Sequence, residues 1–355
     1  MNFDLSDDQR AFNDQIDRFL HETCPVDLLH KAFDGDQTLS RSIWRGMLDL
    51  GLGGLVIPEA HGGLGLGLLE AASVSERIGY GGAPGPWIGH ILAGLAIAKA
   101  GSPAQVERWL PRLASGEAVG AVALMEGEAW APHGWTLDGS ASLNGAKDYV
   151  MGLEEADVFV VGLKGGALAL VEASTPGLQR SVWASTDRTR PVGQLGLGGV
   201  AAEPMPTIWG EALVNAGLIL AAADAHGAAL RMVEDIVDYS KTRIQFGRPI
   251  GGFQAVKHKL ADLALLTTPN GPLYRQAAAD FDEDPNAAAL NASTAKAHIT
   301  ETSCNVARVA TESYGGIGYT WEHSAHIWLR RTLFDYAWLG GPLAHRERAA
   351  QLTGW

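Results

Sequence analysis

The sequence predicts an α+β protein in three consecutive parts: a helical domain over residues 1–118, a small β-domain over 119–209 and a helical domain over 210–355. Three observations predict it. Apolar residues recur at helical spacing through the first and last thirds. Between them run short β-rich segments divided by Gly, Asn and Asp. Gly/Pro-rich turns such as "GGLGLG" and "GGAPGP" cut the helical thirds into separate elements. At 355 residues the chain is also longer than one hydrophobic core supports, which favours two or three sub-domains.

The elements follow in order. Ser6 with Gln9 three positions on is a capping-box spacing, and Phe12, Ile16, Phe19 and Leu20 then recur on one helical face, so a helix begins the chain. Further helical patterns cover Ser40 to Leu50, Gly67 to Ile78, Trp87 to Ala100 and Pro103 to Ala114. The runs "AVGAVALME", "WTLDGSASLNG", "DVFVVGL" and "GALALVEAS" read as strands. Helical patterns resume at Glu211 to Thr242, Phe253 to Thr267, Pro285 to Ser313 and Ser324 to Leu352, broken at "TPNGP", "DEDPN" and "GGIGYTWEH".

Composition narrows the function. Apolar residues make up 46% and charged residues 19%, as in an ordinary globular protein. A formal charge of -13 without a basic run argues against nucleic acid as a partner. Cys24 and Cys304, far apart, give neither a disulfide framework nor a metal-ligand spacing, and both read as buried thiols. The acidic start "MNFDLSDDQRAF" is unlike a signal peptide, and no stretch approaches 18 uninterrupted apolar residues, so a soluble, cytoplasmic protein with no membrane partner is expected.

One connector is far more specified than a helix link requires: "RIQFGRPIGGFQAVKHKLAD", Arg243 to Asp262. With "ESYGGIGYTWEHSAHIWLRR" it resembles the C-terminal helical domain of FAD-dependent acyl-CoA dehydrogenases. The N-terminal "LSDDQRAF", "GLGGLVIPEAHGGLGLG" and "LPRLASGE" are similar to the same family, so the resemblance spans nearly the whole chain. It implies an N-terminal helical domain, a middle β-barrel-like domain and a C-terminal four-helix bundle. It also implies α,β-dehydrogenation of an acyl-CoA thioester, with a desolvated glutamate taking the α-proton and the flavin the β-hydride.

The glutamate is missing from both places where the family keeps it. Counting from Arg330, the commoner position is Leu339, before Gly340; counting back from Arg243, the alternative falls near Gly217. No catalytic residue is therefore assigned. Glu211 reads as a helix first-turn acid favoured by the helix dipole, Glu322 as a turn residue, and His323 and His326 as surface or satisfied core histidines. The flavin-ring seat differs too: where the family has Thr, Ser and Thr, this chain has Met125, Ala131 and Met151.

What the resemblance keeps is the far end of the flavin. In the family, residues matching Arg243, Phe246, Gln254, Gly315, Gly316 and Gly318 hold the adenosine-diphosphate half of a neighbouring subunit's FAD. Guanidinium suits pyrophosphate, an aromatic face suits adenine, and glycine turns bring backbone N–H groups to a phosphate. Glu312 departs, standing where the family commonly has Gln. The resemblance thus implies a subunit without its own base that shares FAD with a homologous partner carrying the catalytic Glu. An acyl-CoA substrate and an electron-transfer acceptor complete the system. "GGIGYTWEHSAHIWLRR" is similar to subunits of α2β2 enzymes that act on steroid side-chain CoA thioesters. Two other readings stay open: a self-sufficient homomer using Glu211 or Glu322, and a non-enzymatic acyl-CoA-binding or scaffold protein.

Overall fold

The computed structural model describes residues 5–139 and 142–355. Met1 to Asp4, and Ser140 and Ala141 of the second strand run, lie outside the described residues.

The chain begins with α1 (Asp7–Thr23), whose capping box forms as the spacing predicts: the Gln9 N–H donates to the Ser6 hydroxyl at 3.2 Å and the Ser6 N–H to the Gln9 side chain at 2.8 Å. Then come α2 (Val26–Phe33), α3 (Thr38–Asp49), α4 (Leu68–Gly81), α5 (Trp87–Ala100) and α6 (Pro103–Ser115). Helix α2 is absent from the sequence prediction; it starts behind Pro25, where a missing N–H costs nothing.

The middle part contains β1 (Gly120–Ala123), β2 (Ser142–Met151), β3 (Val158–Gly162), β4 (Leu168–Glu172), β5 (Leu178–Val182), β6 (Val192–Ala201) and β7 (Glu203–Pro204). They form two sheets, β1-β3-β4-β7 and β2-β6-β5. Strands β1 and β3 run parallel, with Gly120 opposite Val158. Residues of both sheets, among them Leu143, Phe159, Val161 and Leu195, share one buried core, so the barrel-like expectation is realised as two packed sheets.

The last part contains α7 (Gly210–Thr242), α8 (Gln254–Thr267), α9 (Asn270–Glu283), α10 (Ala289–Ser313), α11 (Ala325–Ala337) and α12 (Pro342–Leu352). The hairpin β8 (Ile244–Gln245) and β9 (Arg248–Pro249) links α7 to α8. By length and composition α7 could cross a membrane, but 94% of its most apolar window is buried, which makes it the core helix. It crosses α4 at contact distance because glycines face each other: a Cβ on Gly227 would lie 1.8 Å from the Glu76 carbonyl, and one on Gly79 2.0 Å from that of Asp224.

Two differences from the sequence prediction matter. The break at "TPNGP" is confined to Thr268 and Pro269, and α9 follows at once. The helix predicted over Ser324 to Leu352 is instead two, α11 and α12. Between them Leu339 and Gly340 take left-handed backbone angles, φ 56° and 92°.

All three parts meet at a buried ionic cluster. Arg331 donates to both carboxylate oxygens of Asp224 at 2.7 Å, to the Thr189 hydroxyl at 2.8 Å and to the Ala83 carbonyl at 3.1 Å. Arg190 donates to Asp187 at 2.7 Å and Asp335 at 2.6 Å. Burial, together with the neighbouring Asp224 carboxylate, holds the Asp335 acid well above the usual carboxylate range against the pull of Arg190. With Asp335 protonated, two guanidiniums face two carboxylates and the cluster is neutral, the condition for burying charge at tolerable cost.

Candidate functional site

The two sequence positions that could carry a base converge. A Cβ on Gly217, midway along α7, would stand 2.7 Å from a Leu339 methyl and 3.5 Å from Leu92 and Trp338. Leu339 itself is 0% exposed. One spot, reached from two distant stretches of chain, is therefore filled by leucine and tryptophan, and neither occupant can accept a proton. Glu211 lies six residues before Gly217, about 9 Å along the helix axis, and its carboxylate accepts from Arg348 at 2.9 Å. Glu322 is exposed on a turn. His323 packs on the Tyr314 ring at 4.2 Å and His326 stacks on Trp321 at 4.5 Å, as structural histidines do.

The loop that presents Leu339 is held from beneath. Lys296 on α10 donates to the carbonyls of Asp335 at 2.6 Å, Gly340 at 3.0 Å and Tyr336 at 3.2 Å, which caps the C-terminal end of α11. Burial pushes its pKa down to about 7. His345 donates from Nε2 to the Leu339 carbonyl at 2.8 Å; burial, helped by Lys296, lowers its pKa to about 3, so the ring is neutral with its proton on Nε2. Sequence reasoning missed both residues. The signal was present in "STAKAHIT", where one lysine interrupts an otherwise small and apolar helical face.

Above this loop, between the β-domain and α11, opens a cavity of about 360 Å³ whose walls include Met125, Glu128, Trp130, Tyr149, Phe334 and Trp338. Met125 thus lies where the resemblance puts a flavin-facing hydroxyl. Ala131 and Met151 are buried, and neither lines this cavity; Met151 borders a separate pocket of only about 10 Å³ next to Arg190 and Asp224. Thioethers and a methyl group cannot donate to the polar edge of a flavin, so at these three positions the chain's own ring seat does not fit that cofactor.

The clamp residues gather at the other end of the helical domain. Arg243 ends α7, Phe246 and Gly247 make the hairpin tip, and Gln254 opens α8. Phe246 is 92% exposed at φ 50°, a conformation disfavoured for an aromatic residue. Among the described residues the side chains of Arg243 and Gln254 have no hydrogen-bond or ionic partner. The Gly315 to Gly318 turn lies alongside: Tyr239, one turn before Arg243, packs edge-on against Tyr314 at 5.0 Å. Gly315 has φ 72°, and a Cβ on Gly316 would meet open space. Gly318 is fixed by packing, since a Cβ there would come 2.4 Å from the Thr311 carbonyl. Glu312 accepts from Arg308 at 2.5 Å, which offsets its charge near the turn. Lys241, Arg248 and Lys257 line an open groove beneath the hairpin, cations that the motif reading left out.

Known protein families match this chain over most of its length. Residues 6–117 match the acyl-CoA dehydrogenase N-terminal domain and residues 211–351 the C-terminal domain. The chain is 33% identical over 302 residues, covering 84% of it and 83% of the relative, to "Acyl-CoA dehydrogenase IpdE2" of Mycobacterium tuberculosis. Its fold superimposes on the "Tcur3481-Tcur3483 steroid ACAD G363A variant" with a TM-score of 0.91 at 28% identity, covering 98% and 97% of the two chains. It matches a chain of the ChsE4-ChsE5 complex from Mycobacterium tuberculosis equally well, with a TM-score of 0.91 at 27% identity and full coverage of both. With the helix–sheet–helix order, the clamp hairpin and these relationships together, the chain belongs to the acyl-CoA dehydrogenase family.

Proposed function

We propose that this chain is the base-less subunit of a heteromeric, FAD-dependent acyl-CoA dehydrogenase, and that it completes the flavin site of a homologous partner. The observation that carries this reading is the convergence of Gly217 and Leu339 on one apolar spot. In the family's reaction a desolvated carboxylate must take the α-proton of the thioester, and this spot offers none. The partner would then supply the glutamate and the seat for the flavin ring, the group whose chemistry in this family is to take up a hydride. Arg243, Phe246, Gln254 and the Gly315–Gly316 turn are this chain's contribution, aimed at the adenosine-diphosphate half.

Two features favour this over the rivals. Glu211, tied to Arg348, and Glu322, exposed on its turn, are poorly placed for a homomer's displaced base. Arg243 and Gln254, whose side chains have no partner among the described residues, suit a ligand better than they suit an inert scaffold. An acyl-CoA with a steroid-derived side chain is the substrate we assign to the complex, by analogy with the steroid ACAD of similar fold. Electrons then pass to an external electron-transfer acceptor, and the complex works in the cytoplasm.

The flavin-to-chain ratio tests the proposal. Purified alone, the chain should carry little flavin; co-produced with its partner, the complex should hold about one FAD per heterodimer and acquire dehydrogenase activity. One FAD per chain with activity in the chain alone would overturn it.

A further inference from the structure

Among the described residues two lysines are fully buried, and they are held in different ways. Lys147 in β2 donates to the Glu126 carboxylate at 2.6 Å. Lys296 in α10 meets only backbone: the carbonyls of Asp335, Gly340 and Tyr336, at 2.6, 3.0 and 3.2 Å. Only the ammonium has an N–H for each of three acceptors. A neutral amine keeps two and turns a lone pair toward the third carbonyl, which repels it.

The acceptors lie at the end of a helix and just beyond it. The Phe334 carbonyl takes the Trp338 N–H at 2.9 Å and the Ala337 carbonyl the Gly340 N–H at 3.2 Å. The carbonyls of Asp335 and Tyr336, in the last turn of α11, are left to Lys296. Gly340 lies past the helix, in the turn where it and Leu339 take φ 92° and 56°. A second pin holds the same turn, since His345 donates from Nε2 to the Leu339 carbonyl at 2.8 Å. Trp338, Gly340 and Gly341 line one wall of the 360 Å³ cavity, so the position of the turn sets that wall.

The two pins answer differently to a proton. His345, its pKa lowered to about 3, stays neutral and bound across the whole neutral range. Burial lowers the Lys296 pKa to about 7 against the pull of Asp335 and Cys304. That pull is weak, because Asp335 on α11 is itself held protonated and burial pushes the Cys304 thiol on α10 up to about 12. The charges of the flanking helices are engaged elsewhere. Arg348 on α12 pairs with Glu211 on α7 at 2.9 Å, and Asp224 on α7 pairs with Arg331 at 2.7 Å.

We propose that Lys296 is a proton-operated latch on the Trp338 to Gly341 turn: the ammonium holds the turn against the end of α11, and loss of one proton frees the Gly340 carbonyl. One Nζ–H bond breaks, its proton passes to solvent, and the amine keeps two N–H groups for Asp335 and Tyr336. Those two carbonyls belong to α11 and stay in place, whereas the Gly340 carbonyl is free to swing away. His345 keeps hold of Leu339, so the turn loosens without unfolding and the cavity wall becomes mobile on the alkaline side. The latch is independent of which subunit supplies the base.

Hydrogen–deuterium exchange of the full chain, followed by mass spectrometry between pH 6 and 8.5 and corrected for the intrinsic rise of exchange with pH, tests the proposal. The neutral fraction of a group titrating near 7 rises about ten-fold over that range. Protection of residues 338–341 should therefore fall about ten-fold with a one-proton midpoint near 7, while α4 stays level. Lys296→Met, which cannot donate, should show the low protection at every pH. Lys296→Arg, charged throughout, should abolish the drop. A flat wild-type profile overturns the latch whether or not the variants fold. So does a drop that persists in either variant or is shared by α4, and so does a methionine variant as protected as the wild type at pH 6.

Discussion

Arg243→Ala separates a ligand clamp from a structural arginine. Arg243 is exposed and makes no ion pair or side-chain hydrogen bond among the described residues; only its backbone is used, its N–H donating to the Tyr239 carbonyl at 2.8 Å and its carbonyl accepting from the Ile250 N–H at 2.9 Å. Truncation therefore removes nothing that holds the fold, and the stability of the chain alone should stay within about 0.5 kcal/mol. A guanidinium–phosphate contact is a charge-assisted hydrogen bond whose loss costs about 1.5 to 3 kcal/mol, equivalent to roughly 10- to 150-fold in affinity. The assay is flavin released from the assembled complex on dilution and gel filtration, read by flavin fluorescence, alongside thermal denaturation of the chain alone. Arg243→Lys should fall between the two, because it keeps the charge and loses the fork. Unchanged flavin retention in the alanine complex would refute the clamp. A stability loss above about 1 kcal/mol in the isolated chain would show that Arg243 serves the fold.

Phe246→Asn should raise the stability of the chain alone by up to about 1 kcal/mol, because Asn-Gly suits a hairpin turn with two left-handed residues, and yet weaken flavin retention by the complex. A chain that loses stability would refute the strain argument. Asp224→Asn should cost about 3 to 5 kcal/mol, since it strips the bidentate partner from buried Arg331, whereas Asp335→Asn, which replaces a group already protonated, should cost under about 1.5 kcal/mol; equal costs in denaturant titrations would mean that Asp335 is ionised. Burial lowers the pKa values of His90 and His226 to about 4 and of His345 to about 3. Each folded value lies below the unfolded one, so unfolding takes up protons: this stability is present above about pH 6.5 and lost as the pH falls toward 4. The slope should approach about 4 kcal/mol per pH unit for three protons, and a flat profile between pH 6.5 and 5 would contradict neutral burial. Leu339→Glu should destabilise the chain by at least about 2 kcal/mol and confer no dehydrogenation, since the ring seat at Met125 and Met151 is also altered; activity from this single change would sink the base-less reading.

Much of the fold was legible because it is written in local signals. Ser6 with Gln9 set the first helix boundary, the small-residue periodicity of 210–242 set the core helix, and Gly punctuation set the β-domain. The hairpin connector was legible as a fixed spacing, and the structure brings Gly217 and Leu339, far apart in sequence, into contact. What the sequence hid was tertiary. The "Ser324 to Leu352" pattern reads as one helix because Trp338 and Leu339 keep the apolar rhythm through the break. Only the backbone turn at Leu339, held by Lys296 and His345 from other helices, shows that the rhythm is interrupted. The ionic cluster of Arg190, Arg331, Asp187, Asp224 and Asp335 draws on the middle part and on two distant helices, α7 and α11. No spacing rule brings those charges together.

Two residues with left-handed backbones bear on what selection has kept. Leu339 is strained and buried, and its strain is supported by side chains of this same chain, so it needs no outside partner. Phe246 is strained and bare: a 92% exposed ring at a hairpin tip has only Phe253, 6.1 Å away between centroids, to pack against. A conformation costing about 1 to 2 kcal/mol for a residue with a side chain persists when something over-determines it; at Phe246 the pairing of Gln245 with Arg248 sets the turn, while the ring itself stays exposed. Under the proposed function, the surface that covers this ring belongs to the partner subunit. Its requirements can be read from the neighbours: an aromatic face for Phe246, an anion for the unpaired Arg243, and a polar group for Gln254. A nucleotide held in a partner subunit, as proposed, would meet all three at once.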